Sequence, residues 1–420
     1  MNETIEVYLY PDIYIGNLYY RFNNGKEYSS FEYSRDWIKD KKSFPIEPSL
    51  ELYPILYHIK DVPIFRSFSD CSPDRWGRNL IVRKEFKRAE KLKQSPRTVT
   101  ELDFLLGVND ETRQGALRLK IKGKNEYLSP NEKNSIPPLV YLPKLLNITQ
   151  KVFESKETDE DLLILLNGGS SLGGARPKAS IYKNNILSIA KFPKKDDLIN
   201  TSLWESLALS LAKKAGIKVP EWSVENVSGK SVLILNRFDR IGKNRIPFIS
   251  AMTMLQAKDQ EQHSYIEIAN AIINYGANPE KDLEELWRRM VFNIFISNLD
   301  DHLRNHGFLL YGNKGWVLSP AYDMNPVPRQ VRSNYHALSI DYTSTEGSID
   351  TAFSVIEEFR LNNDKAYSIY QDVINSVAEW KNIARSLGIS KQEISMMESS
   401  FLGTQKINKT GNTNNIGRKI

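Results

Sequence analysis

Two polar side chains in the segment from Asn298 to His306 have the spacing of a phosphotransfer loop. Asp300 and Asn305 stand five positions apart. Kinase catalytic loops use this interval for an aspartate that accepts the proton of the substrate hydroxyl and an asparagine that binds magnesium. A short rigid loop suits this chemistry because the base and the metal must face the same phosphoryl group. Polar loops at helix ends also show the interval, so taken alone it leaves both interpretations open.

The residues after this loop predict a β-hairpin and a second acidic group. Gly307–Tyr311 and Trp316–Leu318 are apolar segments separated by a glycine-containing turn, which is the pattern of two paired strands. The chain then reaches Asp323 through Ser-Pro-Ala-Tyr. Kinases have a hairpin at the same place, between the catalytic loop and their second magnesium-binding residue, an aspartate. Asp323 is therefore predicted to bind magnesium, although an aspartate before Asn-Pro is also a common turn residue.

A glycine-rich segment nearer the N-terminus is a candidate for binding the phosphates of ATP. Gly168–Lys178 lies between an apolar helix predicted at Leu162–Leu166 and a strand predicted at Ala179–Tyr182. Glycines let backbone N–H groups approach phosphates closely. The segment lacks the Lys-Ser or Lys-Thr of a Walker A motif. An ordinary glycine-rich turn would have the same composition.

A lysine and a glutamate downstream complete the predicted ATP-binding half. Lys191 ends an apolar strand and resembles the kinase lysine that pairs with phosphates and with a glutamate on a helix. Glu205, fourteen residues further on, would be that glutamate. Two alternatives stay open. Lys191 could be a solvated lysine at a strand edge, and Glu205 could form a helix capping box with Ser202.

The elements that would position these residues follow each other in the order found in a kinase. An apolar strand stops at Asn236, as a hinge between two lobes would, and adenine would lie against the backbone of Asn236, Arg237 and Phe238. Apolar residues recur at i, i+3, i+4 and i+7 over 281–298 and predict a helix that leads into the D-x4-N loop. The order of the elements, more than any single motif, indicates a kinase.

Composition and charge are those of a globular protein. Of 420 residues, 57 are Lys or Arg and 51 are Asp or Glu, a net charge of +6 that permits a basic patch without requiring nucleic acid. The single cysteine, Cys71, excludes an intrachain disulfide. The first residues lack the pattern of a signal peptide, and the apolar runs are far shorter than the roughly 18 residues of a membrane helix. A cytoplasmic protein without membrane contact is therefore expected.

Shifts in composition predict three regions and a tail within an α+β fold. Residues 1–135 are predicted to form a β-rich N-terminal subdomain, and residues 136–238 a mixed α/β N-lobe with the glycine-rich loop. Residues 239–402 are predicted to form a mostly helical C-lobe. Residues 403–420 have almost no apolar side chains and are predicted to be disordered.

Together these segments resemble the HipA family of serine/threonine kinase toxins, and the resemblance covers nearly the whole chain. The segments that carry it are Gly16-Asn-Leu, Phe31-Glu-Tyr, Trp37, Phe44–Leu50, Ser72–Gly77, Ser171–Lys178, Asn236–Arg240, Asp300–Phe308 and Leu318–Asp323. The resemblance implies a protein-kinase-like, two-lobed α+β fold behind an N-terminal subdomain. It also implies that Ser171, or Ser170 beside it, is the serine whose autophosphorylation silences the enzyme.

The resemblance assigns roles to the residues singled out above. Asp300 matches the catalytic base, Asn305 and Asp323 match the magnesium ligands, and Lys191 matches the ATP lysine. Glu205 remains the supporting ion-pair partner predicted above from its place in the sequence. Adding the glycine-rich loop and the hinge, the predicted ATP-binding residues are Gly173, Gly174, Ala175, Arg176, Pro177, Lys178, Lys191, Asn236, Arg237, Phe238, His302, Leu303, Arg304, Asn305, Tyr322 and Asp323.

The resemblance further implies cofactors, partners and an effect on the cell. The cofactors are ATP and Mg²⁺. The partner is a HipB-type helix-turn-helix antitoxin, and operator DNA is contacted mainly through that antitoxin. The protein substrate would be a translation component such as an aminoacyl-tRNA synthetase, so growth arrest would follow.

Two other functions fit part of the sequence. His302 and His306, spaced i, i+4 beside two aspartates, could bind zinc from a helix in a metal-dependent hydrolase. That alternative leaves the glycine-rich loop and the hairpin unexplained. A catalytically dead DNA-binding co-repressor fits the basic balance of charge, but the intact set of Asp300, Asn305 and Asp323 argues against it.

Overall fold

The computed structural model of the protein describes residues 2–128, 136–169, 174, 176–312, 314–328 and 335–401. Five residues of the predicted glycine-rich loop, Ser170, Ser171, Leu172, Gly173 and Ala175, lie outside these ranges, as do the predicted tail and residues 129–135.

Helices and strands follow each other along the described chain. The strands are β1 (Asn2–Leu9), β2 (Ile13–Asn23), β3 (Lys26–Tyr33), β4 (Tyr57–His58), β5 (Leu117–Ile121), β6 (Lys178–Lys183), β7 (Ile186–Lys191), β8 (Trp222–Val227), β9 (Lys230–Asn236), β10 (Arg240–Ile241), β11 (Asn244–Arg245), β12 (Phe248–Ser250), β13 (His263–Ser264), β14 (Gly307–Leu310), β15 (Trp316–Leu318) and β16 (Leu338–Ser339). The helices are α1 (Arg35–Lys39), α2 (Arg66–Asp70), α3 (Arg75–Lys91), α4 (Glu101–Leu106), α5 (Leu142–Phe153), α6 (Asp159–Asn167), α7 (Thr201–Lys214), α8 (Ala251–Met254), α9 (Tyr265–Tyr275), α10 (Pro279–Phe295), α11 (Ile349–Ser354), α12 (Asn363–Ala378), α13 (Trp380–Ser386) and α14 (Lys391–Met396). Short 3-10 helices occur at Leu139–Tyr141, Leu303–Asn305, Ile356–Phe359 and Met397–Ser400.

The chain folds into two compact units, each assembled from separate segments. Unit 1 comprises the residues up to 196, 221–258 and 307–316. Unit 2 comprises 197–220, 259–306 and the residues from 317 onward. Unit 1 thus includes the predicted N-terminal subdomain and most of the predicted N-lobe. The finer division into a subdomain and two lobes stays a prediction.

Unit 1 contains an antiparallel five-stranded sheet in the order β4-β3-β2-β1-β5. Ile5, Val7 and Leu9 on β1 are buried, and the residues between them are partly exposed. This alternation arises because successive side chains of a strand point to opposite faces of the sheet. The buried face packs on a core that includes Phe31 of β3 and Phe68 of α2.

A second antiparallel sheet of unit 1, in the order β6-β7-β9-β8, holds the strands predicted for nucleotide binding. The helix and the strand predicted on either side of the glycine-rich segment are confirmed as α6 and β6, and the predicted Lys191 strand is confirmed as β7. Helices α5 and α6 share a core with this sheet. Trp76 and Leu80 of α3 belong to the same core, so the N-terminal region helps to support the predicted N-lobe.

Unit 2 is built around α10, which packs against α9 and α12, while α12 and α13 pack against α7. Leu286 and Trp287 of α10 are fully buried. Arg289 is buried as well, and its guanidinium lies 2.7 Å from Glu285 one turn earlier, which satisfies a charge that would be costly alone. The predicted helix is confirmed, but it ends at Phe295, three residues before the predicted end at 298.

None of the helices within the described ranges is both long and apolar enough to cross a membrane.

Candidate active site

The end of α10 sets the direction of the D-x4-N loop. Asn298 N donates to Asn293 O at 2.9 Å and Ser297 N donates to Ile294 O at 3.3 Å. Ser297 is left-handed, with φ of +51°. This is the hydrogen-bond pattern of a Schellman ending, in which glycine is the usual left-handed residue. A serine there costs on the order of 1 kcal/mol of backbone strain.

The loop itself is held by hydrogen bonds from Asn305. Its backbone N donates to His302 O at 2.8 Å, closing the 3-10 turn Leu303–Asn305. Its side-chain Nδ2 donates to Asp300 O at 3.2 Å. Asn305 is buried, whereas Asp300 is exposed. The side-chain nitrogen of Asn305 is thus used within the loop. The side-chain oxygen is the atom that could bind Mg²⁺, since magnesium prefers oxygen ligands.

The loop that carries Asp323 is tied to the D-x4-N loop. Tyr322 Oη donates to Arg304 O at 2.7 Å. Asp323 is left-handed, with φ of +59°, a conformation that aspartate adopts more readily than most residues. Asn325 Nδ2 donates to Asp323 Oδ1 at 3.2 Å. The predicted base and both predicted metal ligands thus lie on two connected loops of unit 2, and their oxygen atoms are of the type that magnesium prefers.

A buried carboxylate next to the predicted base anchors this arrangement. Asp301 Oδ2 accepts hydrogen bonds from Tyr265 Oη at 2.5 Å and Asn293 Nδ2 at 2.9 Å, and lies 2.9 Å from His306 Nε2. Burial alone would raise the pKa of Asp301, but His306 and the hydrogen bonds from His306 and Tyr265 bring it below its usual value. Burial and the nearby Asp301 raise the pKa of Tyr265 well above its usual value. The network therefore holds a charged carboxylate inside unit 2.

The second sheet brings together the predicted nucleotide-binding residues of unit 1. Lys178 and Lys191 are direct partners on β6 and β7. Asn236 is paired with Ser188 on the neighbouring strands, and Ser188 Oγ donates to Asn236 Oδ1 at 3.1 Å. Lys191 and Asn236 are only partly buried. Lys178, Lys191 and Asn236 therefore lie on adjacent strands of one sheet, and their contact with a nucleotide stays a prediction.

Some of the predicted nucleotide-binding side chains already have protein partners. Lys178 is about 2% exposed and its Nζ lies 2.7 Å from Asp74 Oδ2. Arg237 is buried, and its guanidinium bonds Asp239 and the carbonyl oxygen of Thr112. The backbone N of Arg237 also donates to Leu187 O at 3.0 Å, and the predicted contact of its backbone with adenine stays a prediction. Of the ATP-binding residues predicted in the glycine-rich loop, the described ones are Gly174, Arg176, Pro177 and Lys178, and Gly174 has φ of +103°.

Glu205 is buried inside α7 and does not cap it. The side chain of Asn200 accepts a hydrogen bond from Leu203 N and forms the N-cap, so the capping-box alternative with Ser202 was wrong. Both residues are good cap formers, and the chain uses the earlier one. Glu205 belongs to unit 2 and Lys191 to unit 1. Their ion pair stays a prediction.

The zinc alternative fails on local geometry. His302 and His306 flank a 3-10 turn and do not lie one turn apart on an α-helix. The Nε2 atom of His306 is directed at Asp301 in the buried network. Within the described part of the chain, no group of three or more His, Cys, Asp or Glu side chains is arranged to hold a metal ion.

Comparison with known proteins agrees with this architecture. A solved HipA chain from Shewanella oneidensis, in a complex of the HipA and HipB toxin–antitoxin system with operator DNA, has a TM-score of 0.65 at 16% identity, over 97% of this chain and 99% of that chain. The predicted α+β fold class is thereby confirmed. Residues 170–381, half of the chain, match the model of the HipA-like C-terminal domain. The chain belongs to the HipA-like family, as predicted.

Two further similarities are more limited. A Haemophilus influenzae protein named "Putative kinase" is 28% identical over 155 residues, which are 32% of this chain and 45% of that protein. The chain therefore spans less than half the length of this relative. The Helicobacter pylori proinflammatory kinase CtkA has a TM-score of 0.38 at 17% identity, over 57% of this chain and 94% of that chain.

Proposed function

We propose that this protein is an ATP- and Mg²⁺-dependent serine/threonine kinase of the HipA type, acting as the toxin of a toxin–antitoxin pair in the cytoplasm. The observation that carries the proposal is the connected pair of loops in unit 2. They present Asp300, Asn305 and Asp323 in the order of a kinase. Membership in the HipA-like family supports the same assignment.

In this proposal each residue has a distinct task. Asp300, exposed on its loop, accepts the proton of the substrate hydroxyl as the phosphoryl group is transferred. Asn305 and Asp323 hold magnesium through their oxygen atoms. The ion neutralises charge on the phosphates when bound. Lys191 contacts the phosphates, and Glu205 orients Lys191.

The partners are also part of the proposal. A small helix-turn-helix antitoxin of the HipB type would inhibit the kinase and carry it to operator DNA. The similar Shewanella oneidensis HipA was solved with HipB and its operator. The substrate would be a translation protein such as an aminoacyl-tRNA synthetase, whose loss of activity would arrest growth.

Autophosphorylation at Ser171 is proposed as the means of self-inhibition, with Ser170 as the alternative acceptor. A phosphoserine adds about −1.5 to −2 charges. In a glycine-rich loop these charges would repel the phosphates of ATP, so the modified protein should bind ATP poorly. Mass spectrometry of wild type and Ser171→Ala after incubation with ATP locates the phosphate. Phosphate on neither serine would remove this step from the proposal.

The decisive experiment replaces the proposed base. Asp300→Asn keeps the volume of the side chain and removes its ability to accept a proton, so phosphate transfer should fall on the order of a hundred- to ten-thousandfold. Asp364→Asn is a matched control, because Asp364 is exposed in the first turn of α12. Phosphate incorporation is measured with labelled ATP and Mg²⁺.

Three results are informative. Loss of transfer in Asp300→Asn with an active Asp364→Asn control supports the proposal. A fully active Asp300→Asn protein would refute the assignment of the base. A wild-type protein that binds no ATP and transfers no phosphate would favour the inactive co-repressor instead.

A further inference from the structure

A continuous set of hydrogen bonds connects the two loops of the candidate site. Asn293 Nδ2 donates to Asp301 Oδ2 at 2.9 Å, and Asn298 Nδ2 donates to Asn293 Oδ1 at 3.1 Å. Asn325 N donates to Asn298 Oδ1 at 3.4 Å, and Asn325 Nδ2 donates to Asp323 Oδ1 at 3.2 Å. We call Asn293, Asn298 and Asn325 the asparagine relay. It begins beside Asp300 and ends on the carboxylate of Asp323.

The chemistry of this relay requires amides. Asn293 and Asn298 each donate through nitrogen on one side and accept through oxygen on the other. Both are almost fully buried, at 3% and 1% exposure. An aspartate at either place could not donate, and an alanine would leave buried partners without hydrogen bonds, which is costly. Asn293 and Asn298 therefore form a specific hydrogen-bonded chain, in which each buried side-chain amide both donates and accepts.

The position of Asn298 depends on how α10 ends. The left-handed Ser297 turns the chain, so that Asn298 lies over Asn293 of the last helical turn, with its backbone N bonded to Asn293 O at 2.9 Å. Val327 N donates to Ser297 O at 3.2 Å, which holds the Asp323 segment against the same helix end. The relay therefore fixes the position of the Asp323 side chain relative to helix α10.

We propose that the asparagine relay positions the carboxylate of Asp323 relative to the D-x4-N loop and thereby sets the affinity for magnesium with its nucleotide. The relay residues act through Asp323 and do not themselves bind the ion. The inference rests on the proposed function, since Asp323 is a magnesium ligand only there. Without the relay the Asp323 side chain would still be present, but it would lose the hydrogen bond from Asn325 to its Oδ1 atom.

Asn325→Ala is the most specific perturbation. It removes the bond to Asp323 Oδ1 and keeps the backbone bond from Asn325 N to Asn298. Asn325 is only partly buried, so the fold should tolerate the change. One hydrogen bond to a charged group corresponds to roughly a ten- to hundredfold change in an equilibrium constant. We expect Mg²⁺-dependent ADP binding to weaken by about that factor, while ADP binding without metal changes by less than about twofold.

The experiment is calorimetric titration of the full chain with ADP, in the presence and absence of Mg²⁺, together with thermal melting. The variants are Asn325→Ala, Asn298→Ala and the double variant. Asn362→Ala is the matched control, because it also removes one asparagine side-chain hydrogen bond in unit 2, at the N-cap of α12. It should lower the melting temperature slightly and leave the Mg²⁺ dependence unchanged.

The double variant separates a relay from two independent effects. If the residues act in series, the double variant should lose no more Mg²⁺-dependent affinity than the single variant with the larger loss. If Asn298→Ala does not fold, Asn325→Ala decides alone. Wild-type Mg²⁺ dependence in Asn325→Ala, or losses that simply add, would overturn the inference while the proposed kinase function stands. A wild-type chain that binds ADP equally with and without Mg²⁺ would instead refute the proposed metal site, and the relay with it.

Discussion

Replacing either partner of the buried ion pair in unit 1 tests how Lys178 is used. Lys178 Nζ lies 2.7 Å from Asp74 Oδ2, and both side chains are about 2% exposed. Asp74 Oδ1 accepts a second hydrogen bond from Gly77 N at 2.8 Å, which caps α3. Asp74→Asn can keep this cap and removes only the charge, so the ammonium of Lys178 would be left beside a neutral amide.

The expected cost follows from the burial of both groups. Removing one partner of a buried ion pair typically costs about 3–5 kcal/mol. For a unit of this size, each kcal/mol lowers the melting temperature by roughly 2–4 °C, so a decrease of about 6–20 °C is expected. Lys178→Met should cost a similar amount. The double variant Asp74→Asn with Lys178→Met should cost much less than the sum, with a coupling free energy of about 2 kcal/mol or more.

Urea unfolding of the four proteins measures this cycle, and ATP titration of the folded Lys178→Met variant measures the other role predicted for the lysine. A loss of stability with unchanged ATP affinity would assign Lys178 to the fold. A loss of ATP affinity in a protein that is still folded would support its predicted nucleotide contact. Single variants that both lie within 0.5 kcal/mol of wild type would refute the argument that the pair is buried and coupled.

Other positions give independent tests of the fold. Leu286→Ala in α10 should lower the free energy of unfolding by about 2–5 kcal/mol, because the side chain is fully buried; a loss under about 1 kcal/mol in urea unfolding would contradict its place in the core. Asn200→Ala should cost about 1 kcal/mol and Ser202→Ala less than half of that, since Asn200 caps α7; equal losses would restore the capping box. Hydrogen bonds from Arg88 lower the pKa of Glu85 from 4.5 to about 2, so its stabilisation is complete above about pH 5 and disappears as the pH falls toward 2. Glu85→Gln should therefore lose less stability than wild type over that window, and equal losses in acid unfolding would count against the ion pair.

Regular elements were predictable where one physical pattern dominates. The apolar periodicity over 281–298 identified α10 because one continuous set of side chains is buried. The end of the helix was missed for the same reason, since Ile296 and Leu299 are also buried although they lie outside it. Periodicity reports burial, and only the left-handed Ser297 ends the helix. A glycine at that place would have been a readable stop signal.

The candidate site was predictable as far as its residues are close in sequence. Asp300 and Asn305 lie on one short loop, so their spacing is visible in the sequence. The network around Asp301 is different, because Tyr265 reaches it from 36 residues away and from another helix. A tyrosine in an apolar helix carries no local sign of such a contact. The ion pair between Asp74 and Lys178, which joins residues 104 positions apart, was missed for the same reason.

The chain passes several times between the two units, and this limits the order in which they can fold and the fragments that contain a whole unit. The chain crosses from one unit to the other at residues 196/197, 220/221, 258/259, 306/307 and 316/317. The strand β12 of unit 1 pairs with β14 through Ile249 and Phe308. Because β14 is synthesised almost sixty residues later, this pairing cannot form until then. Larger proteins commonly fold one domain after another as the chain leaves the ribosome. Here unit 1 cannot be completed before residues 307–316 have been synthesised. A gene fragment that stops at residue 306 encodes neither unit complete.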